Sequence, residues 1–79
     1  MGDVLRVHAT WDPEAKVWVA ESDDVIGLIT EAATPDALIE KLGEIIPVLL
    51  EENDHADGLP EIPYSVMWET TQIARLNRH

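Results

Sequence analysis

The segment 27-GLITEAATPDALIEKLGEIIPVLL-50 contains a short strand pattern followed directly by a helix pattern. Thr34 is a favourable N-cap, because its hydroxyl can accept a hydrogen bond from a free amide of the first turn. Pro35 suits the first helical position, where an N–H would have no intrahelical partner, and Asp36 complements the positive end of the helix dipole. The segment therefore predicts a helix that begins at Pro35.

Apolar residues recur along this helix at the spacing of a helix that packs on a sheet. The predicted buried stripe consists of Leu38, Leu42, Ile45 and Leu49, widened by Ile39, Ile46 and Leu50. Pro47 lies inside the pattern and cannot donate a hydrogen bond to the carbonyl of Gly43. We therefore expect the helix to bend at Pro47 rather than to end there.

Three strands are predicted before the helix, because short segments with two-residue alternation are separated by turn residues. The first strand is Val4–Trp11, the second contains Val17 and Val19, and the third is residues 27–32. Asp12-Pro13-Glu14 predicts a tight turn between the first two strands. In the third strand, one face carries Leu28, Thr30 and Ala32, and the other carries Ile29 and Glu31.

The pairing of the first two strands decides which residues meet the helix. If Trp11 faces Val17, the odd-numbered residues of both strands form one apolar face toward the core. The opposite face then carries Arg6, His8, Thr10 and Trp18. Because a large aromatic on an uncovered face favours an interaction site, we take His8, Thr10 and Trp18 as candidates for a homodimer contact.

A fourth strand follows a polar loop at residues 53–63. Tyr64, Val66 and Trp68 alternate with polar residues, and we expect this strand to extend to about Ala74. A right-handed crossover places it parallel to the first strand, in the sheet order 3-2-1-4. The predicted class is α+β with the order β-β-β-α-β, the skeleton of the ribonuclease H fold, with one helix on one sheet face.

Length and charge exclude several classes of function. The chain has 79 residues, so we expect a single domain over residues 1–79, and a domain this small favours self-association. A net charge of −11 would repel phosphates, so we expect no direct nucleic-acid binding. There is no cysteine, no signal-peptide pattern and no long apolar stretch, which predicts a cytoplasmic protein away from membranes.

No catalytic or metal-binding motif is recognisable in the sequence. The acidic run 53-NDHADG-58 does not match a calcium-binding loop, and His8, His55 and His79 lack the spacing of a zinc site. A nuclease with the ribonuclease H fold would need a carboxylate on its first strand, whereas Asp3 and Asp12 lie only at the ends of this one. We therefore predict a protein that is not an enzyme and has no cofactor.

The run 11-WDPEAKVWVAESDDVIGLITEAAT-34 resembles a small branch of the HicB-like antitoxin superfamily that lacks a DNA-binding domain. The resemblance continues through Leu38, Lys41-Leu42, Pro47, Leu49-Leu50 and Asn53, and it covers about residues 4–53. Typical HicB proteins read Asp-Leu-Pro-Gly followed by two threonines, where this chain has Asp24-Val25-Ile26-Gly27, Thr30 and Thr34. Ile26 in place of proline indicates a divergent branch.

This resemblance implies a degraded ribonuclease H fold without catalytic residues. It also implies a partner, a small basic HicA-type ribonuclease toxin, which the antitoxin neutralises by occlusion. The charge of −11 suits a basic partner. Only residues 69–79 follow Trp68, too few for the helix-turn-helix or ribbon-helix-helix of larger HicB proteins, so we expect no operator binding unless another chain supplies the contact.

The acidic residues near the third strand are the candidates for contact with this toxin, namely Asp23, Asp24 and Glu31. Asp23 and Asp24 have a simpler alternative as part of a solvated turn, because aspartates commonly bond their own backbone. The chain as a whole also has an alternative, as a stand-alone small-molecule-binding or accessory domain.

Overall fold

A computed structural model describes residues 4–53 and 61–76 of the chain. Its elements are β1 (Leu5–Asp12), β2 (Val17–Glu21), β3 (Ile29–Ala32), α1 (Pro35–Glu52) and β4 (Tyr64–Glu69). The predicted order β-β-β-α-β is confirmed. Most of the run 53-NDHADG-58, including His55, lies outside the described residues, as do Asp3 and His79. No helix among the described residues combines the length and apolarity needed to cross a membrane.

The four strands form one sheet in the predicted order, β3-β2-β1-β4. β1 pairs antiparallel with β2, β2 pairs antiparallel with β3, and β4 lies parallel to β1 after the crossover through α1. The α+β class is therefore confirmed. β4 ends at Glu69, earlier than the predicted end near Ala74, and residues 70–76 continue as an irregular exposed segment.

The hairpin between β1 and β2 is built around Asp12. Its Oδ1 accepts hydrogen bonds from the amides of Glu14 at 3.0 Å and Ala15 at 3.2 Å, and its carbonyl accepts one from the amide of Lys16 at 2.8 Å. Lys16 has a φ of 59°, in the left-handed region that few non-glycine residues adopt. The strands therefore rejoin directly after Lys16, so that Asp12 pairs with Val17.

The observed pairing of β1 with β2 differs by one residue from the predicted register, which is therefore wrong. Trp11 pairs with Trp18 and not with Val17, and Ala9 pairs with Ala20. Because directly paired residues point to the same side of a sheet, the slip exchanges the two faces of β2. Ala20 is fully buried and Trp18 packs against the core, so the predicted position of Trp18 on the uncovered face is wrong.

Helix α1 begins at Pro35, as predicted, and the Thr34 hydroxyl accepts a hydrogen bond from the amide of Ala37 at 3.1 Å. It continues through Pro47 to Glu52, so the expectation that Pro47 does not end the helix is confirmed. The buried stripe consists of Leu38 and Leu42, as predicted, followed by Ile46 and Leu50 rather than Ile45 and Leu49. Ile45 and Leu49 pack at its margin, whereas Ile39 is 42% exposed.

Both the C-terminal end of α1 and strand β4 are tied to the rest of the domain by side chains. Asn53 Nδ2 donates hydrogen bonds to the carbonyls of Leu49 at 2.8 Å and Ile26 at 3.3 Å, which joins the helix end to the β2–β3 connection. The hydroxyl of Tyr64 donates to the carbonyl of Ile39 at 3.3 Å. The core between α1 and the sheet is completed by Val7, Ala9, Ala20, Val25, Leu28 and Ala32. One face of the sheet is therefore covered and held in place, and the other is left uncovered.

Candidate partner-binding surface

The sheet face turned away from α1 has no covering layer among the described residues. We call it the open face. Its members follow from the strand registers and are Arg6, His8, Thr10, Val17, Val19, Glu21, Ile29, Glu31, Ser65, Met67 and Glu69. Ile29 is 72% exposed and Met67 is 69% exposed, so large apolar side chains at both edges of this face are open to solvent.

Apolar and acidic side chains are intermixed across the open face. One row of paired residues runs Met67, His8, Glu21, Ile29, and the next row runs Glu69, Thr10, Val19, Glu31. Three carboxylates therefore lie among four apolar side chains, with Arg6 as the one permanently charged cation of the set. This combination suits a partner that offers both apolar contact and positive charge.

His8 and Glu69 are joined by a side-chain hydrogen bond on this face. His8 Nε2 lies 2.7 Å from Glu69 Oε1, and both side chains are about half exposed to solvent. The contact links β1 to β4, because Glu69 pairs with Thr10 and its side chain reaches diagonally to His8. Exposed pairs of this kind contribute about 0–1 kcal/mol to the free energy of unfolding, so this contact adds little to stability.

The turn after β2 is held to β1 by side-chain hydrogen bonds. Ser22 Oγ donates to the carbonyl of Arg6 and accepts from the amides of Asp24 at 3.0 Å and Val25 at 3.2 Å. Asp24 Oδ2 accepts from the amide of Arg6 at 2.8 Å. The carboxylate of Asp24 therefore extends the pairing of β1 past the end of β2. Among residues 4–53 and 61–76, no group of His, Asp and Glu is arranged to hold a metal ion.

The acidic turn borders a shallow depression at one end of the open face. The depression has a volume of about 270 Å³ and is lined by Arg6, Val7, His8, Glu21, Ser22, Asp23, Asp24 and Met67. Asp23 and Asp24 are both exposed at this border, but Asp24 Oδ2 also accepts the hydrogen bond from the amide of Arg6. Asp23 therefore adds an accessible negative charge to the end of the open face.

The structure brings most of the predicted contact residues to one surface. His8, Thr10 and Glu31 lie on the open face, and Asp23 lies at its border. Asp24 is close by, but its carboxylate is engaged with the backbone of β1. Two of the three residues predicted for a homodimer, His8 and Thr10, thus share a face with Glu31, whereas Trp18 lies on the helix side.

Sequence reasoning missed a cluster of tryptophans on the helix-covered face. Trp18 lies between Trp11 and Trp68, with ring centroids 5.4 Å and 5.1 Å away, respectively. A second depression, of about 360 Å³, lies beside this cluster and is lined by Trp11, Trp18, Ala33, Thr70 and Gln72. The cluster could have been predicted from the pairing of Trp11 with Trp18, but that pairing requires the correct hairpin register.

Comparisons with known proteins give a family and a similar structure. A family model described as a domain of unknown function (DUF1902) matches residues 4–76. The crystal structure of the hypothetical protein TTHA1013 from the extremely thermophilic bacterium Thermus thermophilus is similar, with 50% sequence identity and a TM-score of 0.69. The similarity covers 94% of this chain and 100% of that chain. Comparison with curated proteins gives no match.

Proposed function

The chain belongs to the DUF1902 family, and we propose that it is an antitoxin-like binding protein that neutralises a small basic ribonuclease by occlusion. The observation that carries this proposal is the open face, where exposed apolar side chains lie among carboxylates. Binding rather than catalysis is the proposed role, so the sheet serves in this proposal as a scaffold for a contact surface.

Charge supports a basic partner. The chain carries −11 overall, and the open face and its border present Glu21, Glu31 and Asp23 on the same side of the sheet. A concentrated negative potential speeds encounter with a cationic protein and disfavours acidic competitors. The exposed Ile29 and Met67 then supply the apolar contact that holds a complex together after encounter.

The sequence resemblance supplies the class of partner. HicB-like antitoxins bind HicA-type toxins, which are small basic ribonucleases, and the resembling segment includes the turn and strand that border the open face. We therefore propose a HicA-type toxin as the basic partner, bound so that its RNA-binding surface is covered.

The test compares two variants that each lose three negative charges. The first carries Glu21→Gln, Glu31→Gln and Asp23→Asn at the open face. The second carries Glu40→Gln, Glu44→Gln and Glu51→Gln, all exposed on the outer side of α1. We expect the open-face variant to bind the toxin about tenfold more weakly and with a smaller salt dependence, because the lost charges face the partner. The helix variant should bind nearly as wild type does.

The assay is calorimetric titration with the product of the neighbouring gene, which this proposal requires to be a small basic protein, together with RNA cleavage in the presence of each variant. Wild type and the helix variant should suppress cleavage at equimolar concentration. Equal affinities and salt slopes for the two variants would remove the open face from the proposal. A neighbouring protein that neither binds nor cleaves RNA would overturn the toxin partner itself.

A second candidate function is favoured by the depression beside the tryptophans. Its aromatic walls, Trp11 and Trp18, would suit a small planar ligand. This is the ligand-binding alternative, and thermal denaturation with a panel of planar aromatic compounds tests it. A ligand that raises the Tm of wild type but not of Trp11→Leu would support this alternative.

A further inference from the structure

The two edges of the sheet differ in how they are protected. β3, at one edge, has only four residues, and Lys41 Nζ donates a hydrogen bond to the carbonyl of Glu31 at 2.6 Å. A lysine placed on an edge carbonyl hinders the addition of another strand, because it occupies an acceptor and brings a charge to the edge. The β3 edge is therefore blocked by the chain itself.

β4, at the other edge, has none of these protections. It has six residues, YSVMWE, with no proline, lysine or arginine, and its outer side has no strand partner within residues 4–53 and 61–76. Large apolar side chains are exposed on both of its faces, Met67 at 69% and Trp68 at 39%. An exposed apolar edge of this kind is a site for strand addition.

We propose that β4 pairs antiparallel with β4 of a second copy of this chain, about a two-fold axis perpendicular to the sheet that passes midway between the two Met67 residues. In an antiparallel pair, directly opposite residues point to the same side, so the two-fold axis must lie midway between one residue and its equivalent in the second copy. With the axis at Met67, each Met67 lies opposite its equivalent, Ser65 lies opposite Glu69, and Val66 lies opposite Trp68.

In this register the exposed apolar side chains of β4 are covered, and no two like charges lie opposite each other. The two exposed methionines cover each other on the open-face side, and Trp68 is covered by Val66 of the second copy on the helix side. Glu69, the one charged residue of β4, faces a serine hydroxyl and not a second carboxylate. Two four-stranded sheets then become one continuous sheet with both open faces on the same side.

The salt dependence of this contact is opposite to that of the proposed toxin complex. Two chains of −11 repel each other, so screening by salt should strengthen the dimer. Screening should weaken the binding of a basic partner. The two proposals can therefore fail independently, and the dimer does not rest on the proposed function.

Single-cysteine variants test the pairing, because the chain has no cysteine of its own. Opposite residues in an antiparallel pair have Cα atoms about 4.5–5.5 Å apart, within the range of a disulfide. We expect full-length Met67→Cys to form a disulfide-linked dimer under mild oxidation. Ile29→Cys is the matched control, since Ile29 is similarly exposed on the open face but lies on the blocked edge.

The register is tested by mixing Ser65→Cys with Glu69→Cys. The mixture should form a cross-linked heterodimer, whereas each variant alone should form little. Equal cross-linking of Met67→Cys and Ile29→Cys would overturn the edge contact, as would a wild-type chain that sediments as a monomer at all concentrations and salt levels. Cross-linking of Met67→Cys without the mixed product would overturn the register.

Discussion

Replacing Ser22 with alanine tests the turn that shapes the acidic end of the open face. The hydroxyl donates one hydrogen bond, to the carbonyl of Arg6, and accepts two, from the amides of Asp24 and Val25. Alanine removes all three at once and leaves three backbone groups without this partner. The side chain of Val25 is fully buried, so its amide has less access to replacement water than the others.

The magnitude follows from those three bonds. A typical intramolecular hydrogen bond contributes about 0.5–1.5 kcal/mol, and water can replace part of the loss at the two more exposed groups, so we expect about 2 kcal/mol. A domain of 79 residues has a free energy of unfolding of roughly 4–12 kcal/mol, so this is a large fraction of the total. The corresponding decrease in Tm is roughly 8–16 °C.

Urea denaturation followed by circular dichroism measures this loss, with thermal denaturation as a second readout. Ser65→Ala is the matched control, because Ser65 is an exposed serine whose hydroxyl makes no hydrogen bond within the described chain. It should change stability by less than about 0.5 kcal/mol. A Ser22→Ala variant as stable as Ser65→Ala would refute the view that Ser22 holds the turn to β1.

Three further substitutions test the fold. Lys16→Gly should stabilise the domain by about 0.5–1 kcal/mol in urea denaturation, because glycine adopts the left-handed conformation of Lys16 without steric cost, and a loss of stability would contradict that backbone assignment. Leu42→Ala should cost about 2–5 kcal/mol in the same assay, because Leu42 is fully buried, and a change under about 1 kcal/mol would place it outside the core. Pro47→Ala should raise Tm, because it restores an amide donor inside α1, and an unchanged or lower Tm would show that the surrounding helix depends on proline.

Features with a local cause were predictable from the sequence. The start of α1 follows from Thr34, Pro35 and Asp36, which all act within one helical turn. The two faces of β3 were also predicted correctly. Successive side chains of a strand point to opposite faces of the sheet, so Glu31 and Ala32 lie on different faces however β3 is paired. For the same reason His8 and Thr10 were correctly predicted to share an uncovered face.

Features that depend on a backbone exception or a distant contact were not predictable. The left-handed conformation of Lys16 changed the register of β2, and with it the side on which Trp18 lies. The bond between Asp24 and the amide of Arg6 joins residues 18 positions apart, so no local pattern could separate Asp24 from Asp23. The two aspartates look alike in sequence, but only one of them is bonded to the sheet.

The tryptophan cluster allows binding to be followed by the intrinsic fluorescence of the chain. All three tryptophans of the sequence are in the cluster, so intrinsic fluorescence arises mainly from one place on the helix-covered face. A partner bound on the open face should leave the emission maximum nearly unchanged, whereas β4 pairing should shift it to shorter wavelength by covering Trp68. A single spectrum therefore distinguishes occupation of the face from occupation of the edge, without any label.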